Sequence, residues 1–340
     1  MKRSFAFFFL MAATCFAQQA TPGLKASPES KATPDAAAPT PSPALVYKPL
    51  PEVSPTPKIE GMESENVVIG KGGNRDLHAE LDWPTKPPKT PMPAIIIIHG
   101  GGWLSGEYRP NSARIFVNHG YFTMACEYRP DTEAVWPAQI EDCKLAVRWL
   151  RANAAKYNVD PNRIGIWGGS AGGHLAALLG STENHPEFEG TGGYPGVSSK
   201  VQAVIDSFGP TDLRTGNVTE GSPTSKAANI DDMAGVVEAL IGKKVADAPE
   251  LYAQASPILY VHKDMAPFLI IHGTHDPTVS FQQSKTFVEA MQKVGANVQF
   301  IPVQNGGHGL VAEPGLAPAT PDWNYIFPQM VAFFEKHLKN

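Results

Sequence analysis

The stretch NRIGIWGGSAGGHLAALLG, Asn162 to Gly180, is the strongest indication of the fold in the sequence. Its first part has the β-branched and aromatic residues of a strand, and its last part, HLAALL, has the composition of a helix. Between them, GGSAG around Ser170 is a G-x-S-x-G sequence in a strand–turn–helix context. Because glycine costs conformational entropy in an ordered element, the cluster indicates a turn too tight for side chains. The pattern predicts a sharp turn that presents Ser170 at the carboxyl end of a strand.

Predicted strands and helices alternate along the chain from about residue 58. The four isoleucines of PAIIIIHGGGW predict a strand buried on both faces, as in a parallel sheet covered by helices. Further strands are predicted at ENVVIG, DLHAELDW, YFTMACEYRP, KVQAVIDSFG, APFLIIHG and NVQFIPV, and further helices at AQIEDCKLAVRWLRANAAKY, SFQQSKTFVEAMQKVG and NYIFPQMVAFFEKHL. This order predicts an α/β fold with a mostly parallel central sheet and helices on both faces. Residues 181–257 break the alternation and predict a small cap insertion that contains a helix at MAGVVEALIG.

The N-terminal sequence MKRSFAFFFLMAATCFAQQA indicates export. Two basic residues precede an apolar run that is too short to span a bilayer, and Ala17 ends a small-residue cleavage site. Residues 1–17 are therefore predicted to be a signal peptide of a periplasmic or extracellular protein. A membrane anchor and a lipoprotein signal ending at Cys15 are the alternatives. Residues 18–57, rich in Ala, Pro, Ser and Thr, predict a disordered linker, and residues 58–340 predict one folded domain.

Charge and cysteine content limit the classes of partner. The net charge of −5 and the lack of a Lys/Arg cluster argue against a nucleic-acid partner. After signal cleavage we expect no stable membrane insertion. The mature chain would keep Cys126 and Cys143, which are expected to be buried free thiols, although export leaves a disulfide open. No spacing of cysteine and histidine is typical of a metal site, so no metal is expected.

Three further segments supply the groups that an activated serine needs. HGGGW follows the isoleucine strand, and the N–H groups of Gly101, Gly102 and Ala171 are candidates for an oxyanion hole. His308, in the loop QNGGHGL after the last strand, is the candidate base. Asp276, in LIIHGTHDPTV, is the candidate acid, and it follows the penultimate strand. The resulting chain order is serine, aspartate, histidine.

Other residues of these types have weaker claims. Asp212 also follows a strand and is the second candidate for the acid, although a loop-capping role is favoured. His174, one helical turn after Ser170, is expected to be structural, and His99 is expected to hold its own loop. A phosphate-binding loop is disfavoured because no Walker lysine follows the glycines. Three tryptophans suit either packing or an aromatic or sugar subsite, with packing favoured: Trp103, Trp136 and Trp323.

Together these motifs resemble the α/β-hydrolases of the hormone-sensitive-lipase-like esterase type. The similarity extends from about residue 60 to the end and is greatest to the secreted bacterial branch with feruloyl and acetyl-xylan esterases. It rests on HGGGW, the segment from WPAQIEDC to HLAALLG, SFGPTDL, the segment from ASPILY to HDPTV, and GGHGL. The resemblance implies a nucleophile at Ser170, a base at His308, an acid at Asp276, and neither metal nor cofactor.

The activity implied by this resemblance is hydrolysis of short-chain or aromatic carboxylic esters, including esterified oligosaccharides. Two departures from the family pattern leave the substrate open. Ser280 stands where proline is common, and EYRPDTEAVWPAQ replaces the more usual NYRLAPEAPFPAQ type of segment. The alternatives are another acyl hydrolase of this fold (an arylformamidase, a lipase or a peptidase) and a non-catalytic binding protein. The oligomeric state is not indicated.

Overall fold

The computed structural model describes residues 59–220 and 230–339, so the predicted signal peptide and linker lie outside the described residues. Its centre is an eight-stranded sheet in the order β1-β2-β4-β3-β5-β6-β7-β8. The strands are β1 (Met62–Gly72), β2 (Arg75–Pro84), β3 (Met92–Ile98), β4 (Phe122–Cys126), β5 (Val159–Gly169), β6 (Ala203–Ser207), β7 (Phe268–Gly273) and β8 (Val298–Val303).

The sheet is mostly parallel, as the alternation of elements predicts. β1 and β2 form an antiparallel hairpin whose turn lies at Gly73 and Asn74, and β2 pairs antiparallel with β4. All the pairs from β4 to β8 are parallel. Parallel neighbours need long crossovers, and the predicted helices that follow β5 and β7 supply two of them.

Helices cover both faces of the sheet. Residues of α1, α2 and α5 pack with one face, while α6 and a 3₁₀ helix at Ser112–His119 pack with the other. A hydrophobic core lies on each face of the sheet, and the isoleucine strand β3 contributes to both. Ile96 and Ile98 pack in the core with α1, α2 and α5, and Ile95 packs in the core with α6. Burial of each such side chain contributes about 1.5–3 kcal/mol. The α-helices are α1 (Ala138–Asn153), α2 (Ala171–Ser181), α3 (Ile230–Ile241), α4 (Pro249–Gln254), α5 (Phe281–Val294) and α6 (Trp323–Leu338).

The strand order creates a crevice at the carboxyl edge of the sheet. β3 lies between β4 and β5, so the chain leaves β3 towards one side and then crosses to the other. Ligand sites of open α/β sheets lie at such a switch point, outside the carboxyl ends of the strands. The loops that follow β3 and β5, HGGGW and GGSAG, are therefore neighbours.

The predicted cap range of 181–257 is interrupted by a strand of the central sheet. All five residues of β6, Ala203–Ser207, are buried, and β6 pairs with β5 and β7. The described parts of the chain on either side of it, 182–202 and then 208–220 and 230–267, belong to separate insertions, and the second insertion carries α3 and α4. Trp136 joins the latter to the main domain. Its backbone N–H donates to the Leu240 carbonyl at 2.8 Å, and its Nε1 donates to Gln254 Oε1 at 2.9 Å.

The two described cysteines are buried free thiols, as the sequence favours. Cys126 lies on β4 and Cys143 on α1. Burial raises the pKa of the Cys143 thiol well above its ordinary value. Within residues 59–220 and 230–339, no helix combines the length and the apolar character needed to cross a membrane.

A buried carboxyl on β6 makes stability depend on pH. Asp206 is fully buried, its Oδ1 accepts the Gly209 N–H at 2.9 Å, and its Oδ2 has no hydrogen-bond partner among the described residues. Burial raises the pKa of this carboxyl to about 6. The folded protein therefore binds this proton more tightly than the unfolded chain does. We expect the free energy of unfolding to fall by about 3 kcal/mol from this group as pH rises from about 4 to above 6.

Asp206→Asn tests this pH dependence, because the amide keeps an oxygen for Gly209 but cannot ionise. Urea unfolding of both proteins at several pH values between 4 and 8 measures the difference in unfolding free energy. The difference should move in favour of the variant as pH rises through this range. A difference that does not change with pH would contradict the raised pKa.

Candidate active site

Ser170 lies on a strained turn between β5 and α2. Its backbone has φ 57° and ψ −124°, a conformation that costs a non-glycine residue about 1–3 kcal/mol. Two hydrogen bonds hold the turn: Ser170 N–H donates to the Ser207 carbonyl at 2.9 Å, and His174 N–H donates to the Ser170 carbonyl at 3.0 Å. The serine is therefore fixed at the carboxyl edge of the sheet and at the N-terminus of a helix.

The glycines around Ser170 allow the strand and the helix to pass closely. A Cβ on Gly168 would overlap the carbonyl group of Gly172, and a Cβ on Gly172 would overlap the carbonyl oxygen of Ile98 at the end of β3. Neither backbone can retreat without moving the sheet or the helix. The tight turn predicted from the glycine spacing is present, and the packing of α2 against β3 is a second reason for glycine.

The loops after β7 and β8 bring an aspartate and a histidine to this turn. A Cβ on Gly273 would overlap the carbonyl group of Gly306, so the end of β7 packs directly on the loop that carries His308. His308 Nε2 lies 3.0 Å from Ser170 Oγ, and His308 Nδ1 lies 2.8 Å from Asp276 Oδ2. The structure thus places the three residues singled out as nucleophile, base and acid in one hydrogen-bonded chain.

The carboxylate of Asp276 is buried and held ionised. Its Oδ1 accepts the backbone N–H groups of Thr278 at 2.8 Å and Val279 at 2.9 Å. Burial opposes ionisation, but hydrogen bonds from His272 and His308 outweigh it and hold the pKa of Asp276 well below its usual range. An ionised carboxylate only accepts, so His308 carries its proton on Nδ1 when neutral. Its Nε2 is then free to accept the proton of Ser170.

The HGGGW loop lies against the serine turn. A Cβ on Gly100 would lie 3.4 Å from the Cβ of Ser170, which measures how closely the two backbones approach. Gly101 and Gly102 have φ of 109° and 62°, a region that favours glycine. In the described part of the chain, the N–H groups of Gly101, Gly102 and Ala171 have no hydrogen-bond acceptor. These are the three donors that the sequence predicts for an oxyanion hole.

Two histidines, the buried His174 and the partly buried His99, hold this loop, in agreement with the roles expected for them. His174 Nδ1 accepts from Trp103 Nε1 at 3.2 Å, and its Nε2 donates to the Ala255 carbonyl at 2.7 Å. Burial lowers the pKa of His174 to about 4, so it is neutral in this bridge. His99 Nδ1 donates to the Gly100 carbonyl at 2.8 Å, and its ring stacks on Tyr128.

The remaining candidates lie apart from the triad chain. Asp212, the second candidate for the acid, forms an ion pair with Arg214 at 2.6 Å. Trp103 and Trp136 are buried and serve packing, whereas Trp323 is half exposed at the start of α6. Among the described residues, no three His, Cys, Asp or Glu side chains are grouped so that they could hold a metal ion.

His272 is a residue of the site that the sequence analysis did not single out. It is the fifth residue of β7, fully buried, and its Nε2 lies 3.2 Å from Asp276 Oδ2. The available signal was its position in the predicted strand APFLIIHG, four residues before Asp276. A buried histidine at that place must spend its ring nitrogens on nearby partners.

A serine held on a strand–turn–helix elbow at the switch point of a mostly parallel sheet, with its aspartate and histidine after later strands, defines an α/β-hydrolase. Residues 81–291 match the model of the BD-FAE family, and the chain belongs to that family. The resemblance predicted from the motifs is thereby confirmed.

Individual relatives agree with this assignment. Esterase LipQ of Mycobacterium tuberculosis is 31% identical over 76% of this chain and 60% of its own length, so the chain spans about three fifths of that curated relative. A truncated carbohydrate esterase from gut microbiota has a TM-score of 0.65 and 33% identity, covering 83% of this chain and 99% of that one. Esterase 2 of Thermogutta terrifontis has a TM-score of 0.60 and 28% identity, with coverages of 82% and 91%.

Proposed function

We propose that this protein is a serine carboxylesterase that hydrolyses short-chain or aromatic carboxylic esters through an acyl-enzyme on Ser170. The observation that carries the proposal is the position of His308, with one ring nitrogen 3.0 Å from Ser170 Oγ and the other 2.8 Å from Asp276 Oδ2. A serine hydroxyl is a weak nucleophile until a positioned base removes its proton. The family and the esterase relatives support the same activity.

In the first step His308 Nε2 takes the proton of Ser170 as the hydroxyl oxygen attacks the ester carbonyl. The tetrahedral oxyanion accepts hydrogen bonds from the N–H groups of Gly101, Gly102 and Ala171, at the positive end of α2. The imidazolium, held by Asp276, then protonates the leaving alcohol. In the second step the same base activates water, which releases the acid and restores the serine.

Within this class of esters, we propose acetyl or feruloyl esters of plant polysaccharides as the natural substrates. Membership of the BD-FAE family and the likeness to a gut carbohydrate esterase support it. The N-terminal sequence supports export to the periplasm or the medium, where such polymers or their fragments are met. Identification of the mature N-terminus by mass spectrometry tests the export proposal, and an intact Met1 on the exported protein would contradict cleavage.

A substrate panel tests the activity. Purified protein is assayed with p-nitrophenyl acetate, methyl ferulate, acetylated xylan and the amide analogue of the first, and Ser170 is labelled with an organophosphonate. We expect turnover of the esters, little turnover of the amide, and a single adduct on Ser170. Preference for the amide would favour a peptidase or an arylformamidase. No turnover and no adduct would favour the binding-protein alternative.

Gly101→Ala tests the oxyanion loop. At φ 109° a side chain is strained, and the new Cβ would overlap the carbonyl group of Ser105. The loop must move, and with it the Gly101 and Gly102 donors. Loss of one such donor costs about 10²–10³ in kcat. We expect a loss of this size in p-nitrophenyl acetate turnover, with KM changing much less.

Gly295→Ala is the matched control for backbone strain. Gly295 also has a positive φ, 75°, but ends α5 in open space. This variant should lose about 1 kcal/mol of stability and keep its kcat. Equal losses of kcat in the two variants would assign the Gly101 effect to general destabilisation instead.

A further inference from the structure

We propose that His272 is a positioning residue for the acid of the triad, holding the Asp276 carboxylate in place through the oxygen that binds His308. This inference rests on the proposed function, because it assigns a role within the same site. It starts from a shared atom. Asp276 Oδ2 lies 2.8 Å from His308 Nδ1 and 3.2 Å from His272 Nε2.

The contacts of the His272 ring fix its tautomer. Nε2 faces two acceptors, Asp276 Oδ2 at 3.2 Å and the Val279 carbonyl at 3.0 Å. A carbonyl and an ionised carboxylate cannot donate, so Nε2 must carry a proton that the two oxygens share. Nδ1 lies 2.7 Å from Ser284 Oγ, and in the neutral ring it accepts the serine proton. Both ring nitrogens are therefore used, with no exposure to solvent.

This arrangement ties the carboxylate to a helix. Ser284 is fully buried on α5, and the Phe281 ring on the same helix meets the His272 ring edge-on at 5.7 Å. The series of hydrogen bonds from Ser284 through His272 to Asp276 connects α5, β7 and the loop that follows β7. With both oxygens of Asp276 occupied, Oδ1 by two backbone N–H groups and Oδ2 by two imidazoles, the carboxylate has one favourable orientation.

The charged surroundings of His272 are few. Asp276 faces it from the following loop, and the buried carboxyl of Asp206 acts on it electrostatically from β6. α5 contributes the neutral Ser284 and Phe281, and the register partner on β8 is Pro302. Loss of the His272 N–H removes one of two imidazole donors from Oδ2. The negative charge of Oδ2 then interacts with His308 alone, which stabilises the imidazolium form of His308. The Asp276 carboxylate also loses one of the contacts that fix its orientation.

A pair of amide variants separates positioning from packing. In His272→Gln the amide N–H reaches the position of Nε2 and can still donate to Asp276. In His272→Asn the shorter amide reaches only the position of Nδ1, beside Ser284. The two variants are similarly polar, but asparagine is one methylene smaller and leaves the larger cavity in this buried site. The pH profile of kcat/KM is therefore measured beside kcat, because a packing defect alone does not move its acid limb. Turnover of p-nitrophenyl acetate is measured per active site, with active sites counted by organophosphonate titration.

We expect His272→Asn to lower kcat by about tenfold to a hundredfold, with KM within about twofold of the wild type. We also expect the acid limb of its kcat/KM profile to move up by about half a pH unit. His272→Gln should recover most of kcat and the wild-type limb. Ser284→Ala, which removes the hydrogen bond to Nδ1 without touching Nε2, should show a smaller change in the same direction.

Two results would overturn the positioning role of His272. Equal losses in the Gln and Asn variants with an unshifted acid limb would overturn the positioning role, as would wild-type kinetics in both His272→Asn and Ser284→Ala. If His272→Asn does not fold, Ser284→Ala decides between the same alternatives. A wild-type protein with neither turnover nor an adduct on Ser170 would overturn the proposed function, and this inference with it.

Discussion

Ser170→Ala is expected to abolish ester hydrolysis. Removal of an activated nucleophile of this kind lowers kcat on the order of 10⁶-fold, or about 8 kcal/mol. The hydroxyl is the only group that the substitution removes, and the elbow should keep its conformation because alanine fits wherever this serine does. The measurement is the rate of p-nitrophenyl acetate hydrolysis at neutral pH, with the variant purified beside the wild type.

Ser181→Ala is the matched control, since Ser181 ends the same helix α2 and its hydroxyl donates to the helix carbonyls of Ala177 and Leu178, away from the triad. It should keep wild-type kcat. Persistence of hydrolysis in Ser170→Ala would mean that another group carries the activity or that the activity is a contaminant. An inactive wild type would leave the non-catalytic binding protein as the better hypothesis.

Much of the site follows from the sequence because parallel strands end at one edge. The segments after β3, β5, β7 and β8 each carry a chemically distinctive residue, and a parallel sheet brings all of them to the same side. G-x-S-x-G between a strand and a helix then selects Ser170 from the other serines. Asp276 follows the penultimate strand and His308 follows the last one, and this order favours Asp276 over Asp212 as the acid. The structure places Asp276 beside His308.

What the sequence does not reveal is set by contacts between distant segments. The bridge from Trp103 through His174 to the Ala255 carbonyl joins residues 71 and 81 positions apart. His272 contacts Asp276 through Nε2 and Ser284 of α5 through Nδ1, and neither contact is visible in the sequence. The sequence predicts the strand of β6 at KVQAVIDSFG, but it does not show that this strand divides the expected cap, because the pairing of β6 with β5 and β7 joins distant segments.

Asp276→Asn is expected to lower kcat by about 10⁴-fold while the fold is kept. In the wild type, Oδ1 accepts two backbone N–H groups and Oδ2 accepts two imidazole N–H groups. An asparagine side chain has a single oxygen, so it can accept from only one of these two pairs of N–H donors. If the oxygen stays with Thr278 and Val279, the NH₂ group faces His308 and forces its proton onto Nε2. That nitrogen then cannot take the proton of Ser170.

The opposite amide orientation is no better, because NH₂ would face the two backbone N–H groups with donor against donor. The second imidazole adds a cost, since His272 cannot give up its Nε2 proton without losing the Val279 carbonyl. Asp212→Asn is the control: it breaks a half-exposed ion pair with Arg214 and should leave kcat unchanged. Comparison of kcat for the two variants decides between the carboxyls. A large loss in Asp212→Asn, or near wild-type kcat in Asp276→Asn, would move the acid of the triad away from Asp276.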